Sequence, residues 1–536
     1  VRRPRLERRA GGALAAGRPE RGRQTGHAAS PCAPAEGDLH ARRLHERPRR
    51  GRAGVRAGAE LTEVARLAGA LGCVGLAALI VATRRELRLA GLAAWIVGAA
   101  GLGLYLAPDG REAELTVAVV AGVLLSLVGA YVLVRSPWAL PLLALACVPI
   151  RIPVDVGTEE ANLLVPLYLV IGSLVAALGW SLLRGDTRSQ ELGPVGWPLA
   201  AMVGWLGLAF LWTDDVRAGA IFLAAFVLPF GVLAVGVARL PWNRRGLLTL
   251  YTALVATALA YAAVGLYQWA TREVFWNPKL KVDNAYAPFF RVNSVFWDPS
   301  IYGRYLVVAI LATLVLVLLG LRERLIAGAV LVIAGLWIGL LFSFSQSSFA
   351  ALIAGTFAAA AVVWRWRAAA AIGLVAAVLL SVGFATPQVR NSGLDRVTSG
   401  RAPLVSNGLE IALDHPLTGV GTGGFKLAYA EKTGLKGTEP KKAASHTTPV
   451  TVAAEQGLPG VLLLGWLAVA ALYAAVRATV RSDAGRTAAV AGLTLAAIAV
   501  HSLFYNALFE DPMAWSLLGL VALAAARRPA EAVSAT

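Results

Sequence analysis

Two arginines in hydrophilic segments of an otherwise strongly apolar chain are candidates for binding a phosphorylated substrate. Arg401 lies immediately before a pattern that predicts a short helix over 402–414. The free backbone N–H groups at a helix start, beside a guanidinium group, favour a phosphate ligand. Without such a ligand, Arg401 would simply be an exposed, solvated side chain. Arg291 precedes another apolar run, where its guanidinium needs an anionic partner, either a pyrophosphate or Asp298.

A histidine in the same long segment as Arg401 is a candidate for proton transfer. His446 precedes a Thr-Thr-Pro sequence that predicts a helix starting there and ending at Gly457. The dipole of that helix disfavours the imidazolium ion, so a neutral His446 could accept a proton from a hydroxyl group. The alternative is a histidine that only caps a loop. Glu455, about two turns further on, would either orient His446 or be solvated.

Three glycines between these residues match a nucleotide-binding spacing, but their context argues against that use. Gly419, Gly421 and Gly424 fit GxGxxG, yet the pattern predicts no strand before them, as a dinucleotide fold requires. They instead predict a tight turn that lets the backbone approach a neighbouring segment. Elsewhere, no group of His, Cys and Asp has metal-ligand spacing, and the three cysteines suggest neither a disulfide nor a metal site. We therefore expect neither a metal nor a cofactor.

The composition indicates a membrane protein. Of 536 residues, 57% are hydrophobic and only 15% are charged, where a soluble protein carries about a quarter. Apolar runs long enough to cross a bilayer recur along the chain, and they are too uniform for barrel strands. We predict an all-α polytopic fold with about 12 to 15 transmembrane helices. The individual spans are expected near 67–82, 89–107, 115–134, 138–150, 162–183, 195–212, 218–238, 247–270, 301–320, 325–342, 349–364, 368–386, 458–476, 487–504 and 513–526.

Loop charges predict the orientation. Short arginine-rich loops, such as those with Arg184 and Arg244, alternate with acidic or neutral loops. The arginine-rich loops are expected on the cytoplasmic side. The long loops 271–300 and 387–457 are then extracytoplasmic. Counting from the fourth span gives a 12-helix core, preceded by three added helices. The predicted organisation is a tail at 1–66, added helices at 67–137, a core at 138–386, the large extracytoplasmic catalytic loop at 387–457 and C-terminal helices at 458–536.

The first 66 residues differ from the rest. They hold 16 Arg against 7 Asp and Glu, which accounts for half of the net charge of +18. With few large apolar residues and no periodicity, the segment is expected to be disordered. A basic tail could bind nucleic acid or anionic lipid. The alternative is that the chain start is assigned too far upstream. For the protein as a whole, we expect membrane lipids and no nucleic acid among the partners.

Four segments resemble the O-antigen ligase family, which also includes O-antigen polymerases. They are RVNSVFWDPS (291–300), SFSQSSF (343–349), SGRAPLVSNGLEIALDHPLTGVGTGGF (399–425) and HTTPVTVAAEQGLPG (446–460). The resemblance covers roughly 140–527. It implies a GT-C-like membrane glycosyltransferase of bacteria that takes a glycan from undecaprenyl pyrophosphate on the outer face of the cytoplasmic membrane. The acceptor would be a lipid, a glycan or a protein.

The resemblance also implies residue roles. Arg291 and Arg401 would hold the pyrophosphate, and His446 would activate the acceptor hydroxyl in an inverting, metal-independent transfer. Apart from the resemblance, Glu455, Gln346 and His501 are candidates for supporting residues because of their predicted positions near the outer face. The chain departs from the family at Gln346, where an arginine is usual.

Other functions remain open at this stage. A polysaccharide polymerase would use the same site with a different acceptor. A small-solute transporter of the bicarbonate type would need charged residues near mid-membrane and inverted repeats, of which the sequence shows few signs. A scaffold for envelope assembly would not depend on His446.

Overall fold

The computed structural model describes residues 52–108, 110–156, 159–287, 289–385, 402–434, 445–476 and 482–527. The chain divides into two compact units, Val1–Ala57 and Gly58–Thr536. Of the first unit, only residues 52–57 are described, and they are helical. The second unit is a helical bundle that carries all the candidate site residues discussed below.

The elements follow one another along the chain with short connections. The first half contains α1 (Arg52–Val81), α2 (Arg85–Leu106), α3 (Glu112–Arg135), α4 (Ala139–Cys147), β1 (Ile152–Val156), β2 (Glu159–Leu163), α5 (Val165–Leu183), α6 (Gly196–Ala209), α7 (Val216–Phe222) and α8 (Leu228–Ala238). The second half contains α9 (Arg244–Thr271), α10 (Pro278–Tyr286), α11 (Pro299–Leu318), α12 (Glu323–Ser343), α13 (Gln346–Ala385), α14 (Ala402–Asp414), α15 (Phe425–Thr433), α16 (Thr448–Val476), α17 (Asp483–His501) and α18 (Pro512–Ala526).

Twelve helices in the described part of the chain are long and apolar enough to cross a membrane, and α18 adds a shorter apolar helix. This confirms the prediction of an all-α polytopic membrane protein. The most enclosed spans are α11 and the α7–α8 segment, in which most residues are buried inside the bundle. By contrast, α3 and α9 are buried along little of their length, as expected for helices whose sides face lipid.

The segment predicted as a span at 138–150 is shorter than expected. Its helix, α4, covers nine residues, or about 13 Å, against a hydrocarbon core of about 30 Å. Pro149 ends the helical pattern because it lacks an N–H group and restricts the residue before it. An antiparallel hairpin follows, in which Ile152 pairs with Leu163; the sequence analysis did not predict these strands.

The two spans predicted at 349–364 and 368–386 belong to one hydrogen-bonded helix, α13, of 40 residues. This helix is not straight. A Cβ atom on Gly373 would lie 2.7 Å from the ring of Phe357, whereas 16 residues of straight helix span about 24 Å. The chain therefore bends back between Phe357 and Gly373, and within the described residues only Gln346–Trp364 of this helix is long and apolar enough to count as a membrane span.

The helical region also starts earlier than predicted. The sequence analysis expected disorder over 1–66, but α1 begins at Arg52, so that expectation is wrong for 52–66. Ala65 is fully buried, and Arg66 donates a hydrogen bond to the carbonyl of Thr213 at 2.8 Å. Contacts to the bundle thus order a segment whose own composition predicts disorder. Residues 1–51 lie outside the described part.

Small residues let α1 pack closely on both sides. A Cβ atom on Gly98 in α2 would lie 2.4 Å from the Cα of Gly72, and one on Gly207 in α6 would lie 2.4 Å from the Cβ of Cys73. Helices in membranes associate through such close backbone approach. The first of the three helices predicted as an addition is therefore packed directly on the core through α6.

A buried ion-pair cluster joins three of the arginine-rich loops. Glu191 binds Arg88 at 2.8 Å and also pairs with Arg239. Arg239 binds Asp186 at 2.6 Å, and Asp186 binds Arg188 at 2.7 Å. These loops therefore share one end of the bundle, called here the arginine face, as the alternation of loop charge predicts.

We expect Glu191→Ala to destabilise the protein by about 3–5 kcal/mol, because two buried guanidinium groups lose their shared carboxylate. Glu323→Ala, at an exposed position on α12, is the control and should cost under about 1 kcal/mol. Equilibrium unfolding in mixed detergent micelles measures both. Equal effects for the two variants would show that the cluster contributes little.

A second prediction concerns how the stability of the fold depends on pH. Hydrogen bonds from Arg188, and then the charge of Arg239, lower the pKa of Asp186 from 3.8 to about 2. An acid with a lowered folded-state pKa stabilises the fold above its unfolded value and loses that contribution as pH falls through the folded one. The stability difference between wild type and Asp186→Asn should therefore shrink between about pH 4 and pH 2. A difference that stays constant over this window would contradict the assignment.

Candidate functional site

The serine turn (343–348), between α12 and α13, carries a buried network of hydroxyl groups. The Ser347 hydroxyl lies 3.0 Å from Nε2 of His501. The Ser345 hydroxyl lies 3.1 Å from that of Ser347 and 2.8 Å from that of Ser348. His501 ends α17 and is fully buried. This residue, a supporting one in the sequence-based prediction, therefore joins two helices inside the bundle.

Arg291 lies against the serine turn, and an amide side chain fixes its backbone. Asn284 in α10 accepts a hydrogen bond from the N–H of Arg291 at 3.0 Å and donates one to its carbonyl at 2.9 Å. The Nε of Arg291 donates to the carbonyl of Ser343 at 3.3 Å. Asp298, the alternative partner, instead accepts from the N–H of Ser300 at 2.6 Å. Within the described structure, Arg291 and Asp298 therefore form no ion pair.

More amide side chains hold the residues that follow Arg291. Ser294 has a left-handed backbone, with φ of 53°. Its N–H donates to the side chain of Gln268 at 2.7 Å, and its carbonyl accepts from the same amide at 2.9 Å. Asn277 donates to the carbonyl of Trp297 at 2.6 Å. The backbone around Arg291 is thus fixed by side chains from α9 and α10.

His446 lies directly before α16 in an uncommon backbone conformation. Its φ of 55° is left-handed, which costs roughly 1–2 kcal/mol for a residue with a Cβ atom. The neighbours on both sides are pinned. The Ser445 hydroxyl accepts from the N–H of Thr447 at 3.2 Å and donates to its carbonyl at 2.9 Å, and the N–H of Thr448 donates to the carbonyl of Ser502 at 2.9 Å. The backbone on both sides of His446 is therefore held by hydrogen bonds.

These hydrogen bonds link segments that are far apart in sequence in one continuous series of contacts. Arg291 binds the serine turn, the serine turn binds His501, and the next residue, Ser502, binds the N-terminus of α16 beside His446. We call this end of the bundle the site face. As predicted, a helix begins after His446, and it is kinked at Gly457, where φ is 63°.

The Gly-rich turn (419–424) inserts between α6, α7 and α16. The N–H of Gly421 donates to the carbonyl of Glu455 at 2.9 Å, and the Thr422 hydroxyl donates to the carbonyl of Leu206 at 2.8 Å. Gly421 has φ of 90°, and a Cβ atom there would meet the backbone of a neighbouring loop. This confirms the prediction of a tight turn that approaches another backbone.

The carboxylate of Glu455 holds this turn. It accepts hydrogen bonds from the N–H groups of Gly423 at 3.0 Å and Phe425 at 3.3 Å, and the residue is 7% exposed. Glu455 is therefore buried, and its carboxylate bonds to the turn. Of the two alternatives given for it in the sequence analysis, the solvated side chain is wrong, because the turn covers the carboxylate in the folded bundle.

Two candidate residues from the sequence analysis remain, Gln346 and Arg401. Gln346 is the first residue of α13 and is an exposed position within the serine turn. Arg401 lies outside the described residues, while α14 begins directly after it at Ala402 and ends at Asp414, as predicted. Among the residues that the structure describes, no group of three or more His, Cys, Asp or Glu side chains could hold a metal ion.

A buried ion pair near the site face was missed by the sequence analysis. The Nε of Arg304, in the second turn of α11, lies 3.0 Å from Oδ2 of Asp511, and both side chains are 3% exposed. The signal was present in the sequence, because an arginine inside an apolar run needs a partner. The partner, 207 residues later, is visible only in the fold.

A matched pair of glycines tests how closely the Gly-rich turn is fitted. A Cβ atom on Gly423 (φ 83°) would lie 2.4 Å from the backbone nitrogen of Gly219, whereas one on Gly434 (φ 65°) would meet no atom of the described residues within 4 Å. Both alanine variants bear the conformational cost of roughly 1–2 kcal/mol, but only Gly423→Ala adds a clash with rigid backbone. We expect clearly lower thermal stability for Gly423→Ala than for Gly434→Ala, and similar midpoints would contradict the packing.

Comparison with known families gives one match to part of the chain. Residues 329–465 match the O-antigen ligase family, Wzy_C. The matched region contains the serine turn, the Gly-rich turn and His446, while Arg291 and His501 lie on either side of it. No curated protein matches the chain. The match confirms the resemblance to the O-antigen ligase family and indicates a membrane enzyme of polysaccharide assembly.

Proposed function

We propose that this chain, with an O-antigen ligase region at 329–465, transfers a glycan from a polyprenyl-pyrophosphate donor to a hydroxyl acceptor. The reaction would take place at the site face, on the outer side of the bacterial cytoplasmic membrane. The observation that carries the proposal is the continuous contact from Arg291 through the serine turn and Ser502 to the segment of His446. It joins an anion-binding group and a proton acceptor that are distant in sequence.

Arg291 is suited to the leaving group. Only its Nε is hydrogen-bonded within the described structure, to the carbonyl of Ser343. The two terminal amino groups are left for an anion, and an arginine fork matches phosphate oxygens. Arg401, directly before α14, would add a second guanidinium beside the free N–H groups of that helix. Two cationic groups can offset the charge that develops on pyrophosphate without requiring a metal ion.

His446 is proposed as the general base. As the acceptor oxygen attacks the anomeric carbon, an imidazole nitrogen of His446 takes the hydroxyl proton. The bond from the anomeric carbon to the pyrophosphate oxygen breaks, and the electron pair leaves with the pyrophosphate. A single displacement from the opposite side inverts the anomeric configuration. The fixed, left-handed backbone of His446 is consistent with a group held in place for one purpose.

The same site would serve a polymerase, in which the acceptor is another glycan repeat unit. The two activities are chemically equivalent at Arg291 and His446, so the acceptor distinguishes them. A transporter is less well supported: the buried pair formed by Arg304 and Asp511 lies at helix ends near the site face, not midway along the helices. We therefore keep ligase as the main proposal and polymerase as the alternative.

Replacing the base tests the proposal. In cells that produce His446→Ala as the sole copy, we expect transfer to fall about 10²–10⁴-fold, lipid-linked glycan to accumulate and surface polysaccharide to be lost. Long accumulated chains indicate a ligase, and single repeat units indicate a polymerase. Arg291→Ala should give the same phenotype.

His415→Ala is the matched control, because His415 is exposed near the Gly-rich turn and has no role in the proposed reaction. It should leave the polysaccharide profile unchanged. Membrane insertion and protein level are measured for every variant. Normal surface polysaccharide in a His446→Ala strain with normal protein level would overturn the mechanism.

A further inference from the structure

A cavity of about 180 Å³ lies at the site face between α7, the start of α16 and the turn before α18. We call it the Glu510 cavity. A cavity of this size suits a small ligand or one unit of a larger one. Its lining includes Phe222, Thr448, Gln456, Asn506, Phe509 and Glu510.

Two polar side chains of this cavity lack partners within the described structure. Gln456 is 2% exposed, and its Oε1 atom accepts no hydrogen bond. Glu510 is partly buried and makes neither a hydrogen bond nor an ion pair with any described residue. Buried polar atoms are nearly always satisfied, so the unpartnered Oε1 of Gln456 points to a ligand or to water. Burial also raises the pKa of Glu510, against the lowering effect of Arg151 and Arg304.

The cavity offers a donor beside these acceptors. Asn506 accepts from the Thr448 hydroxyl through Oδ1 at 3.0 Å, so its amide N–H groups remain for a ligand. Phe222 and Phe509 form an apolar wall, with ring centroids 6.4 Å apart in an edge-to-face arrangement. A ligand that both donates and accepts hydrogen bonds, and that has an apolar face, fits this set of groups.

The charged groups that line the Glu510 cavity disfavour an anionic ligand. Two carboxyl groups, Glu455 and Glu510, line the cavity. Arg151 and Arg304 act on Glu510 electrostatically but are not part of the lining, and Arg304 is paired with Asp511. A phosphate would be repelled here, whereas neutral hydroxyl groups would donate to the carboxylate oxygens. The cavity is therefore chemically distinct from the neighbourhood of Arg291.

We propose that the Glu510 cavity binds one neutral sugar residue of the acceptor, with Glu510 and Gln456 accepting from its hydroxyl groups and Asn506 donating to it. The cavity is placed for this role because Thr448, in its wall, is two residues from His446. The inference rests on the proposed function and names its acceptor: a glycosylated molecule, recognised through an uncharged pyranose. Glu510 and Gln456 would be specificity-determining residues.

Binding of simple sugars to the full-length protein in glycolipid-free nanodiscs tests this directly. The probes are the methyl α-glycosides of D-glucose, D-galactose and D-mannose at millimolar concentration, detected by saturation-transfer NMR. Glucose 6-phosphate serves as the anionic comparison. We expect at least one methyl glycoside to bind wild type, and the sugar phosphate to bind more weakly.

Glu510→Gln and Gln456→Leu should each weaken the bound glycoside about tenfold, the loss expected for one strong hydrogen bond. Glu431→Gln, at an exposed carboxyl group of α15 outside the cavity, is the matched control and should bind normally. Glu510→Gln keeps the shape of the side chain, so it remains informative if Gln456→Leu folds poorly. The absence of glycoside binding to wild type, equal binding by Glu510→Gln, or preference for the sugar phosphate would each overturn the inference.

The assay separates this inference from the proposed function because it involves no transfer. His446→Ala should retain glycoside binding. If His446→Ala abolishes transfer and no glycoside binds wild type, only the acceptor site is wrong. If His446→Ala leaves transfer intact while Glu510→Gln loses glycoside binding, the catalytic proposal fails and the sugar site stands.

Discussion

The carboxylate of Glu455 is the group on which the site depends. It accepts hydrogen bonds from two backbone N–H groups, at Gly423 and Phe425, that would otherwise be buried without partners. In an apolar bundle no water is available to replace them, so each unsatisfied group is costly. This interaction fixes the Gly-rich turn on α16, and α16 in turn carries His446 at its start. The position of the proposed base is thereby coupled to the packing of a loop.

The same requirement explains how Arg291 is held. The segment after it has no regular secondary structure, so its backbone groups need side-chain partners. Asn284 and Gln268 each satisfy one N–H and one carbonyl with a single amide group. Amides are suited to this because one side chain both donates and accepts. The result is a fixed backbone under a guanidinium group that keeps its terminal amino groups for a ligand.

The two ends of the bundle differ in how they use charge. At the arginine face, Arg88, Arg239, Glu191 and Asp186 neutralise one another in a buried cluster. At the site face, Arg291 has no carboxylate partner among the described residues, and Glu510 likewise has no cationic one within ion-pair distance. Charges that pair with each other support structure, whereas charges left available are the ones that a substrate can use.

Sequence alone determined the main features because they depend on local pattern. Apolar length predicted the membrane helices, local pattern predicted the helix over 402–414 and the interruption at Gly457, and the spacing of Gly419 and Gly421 predicted a tight turn. The sequence-based prediction was wrong where tertiary contacts override composition. Ala65 and Arg66 are ordered by the bundle despite an arginine-rich, aperiodic context.

What the tertiary structure alone decided is which distant groups meet. No local pattern places the carboxylate of Glu455 against Gly423, or Ser347 against His501, because hydrogen bonds between helices depend on their packing and not on their sequence spacing. The same holds for Gln456 and Glu510, which lie 54 residues apart in the chain yet line one cavity. Sequence identified the residues able to do chemistry; only the packing of the helices showed which of them are occupied by structural bonds and which remain open to a ligand.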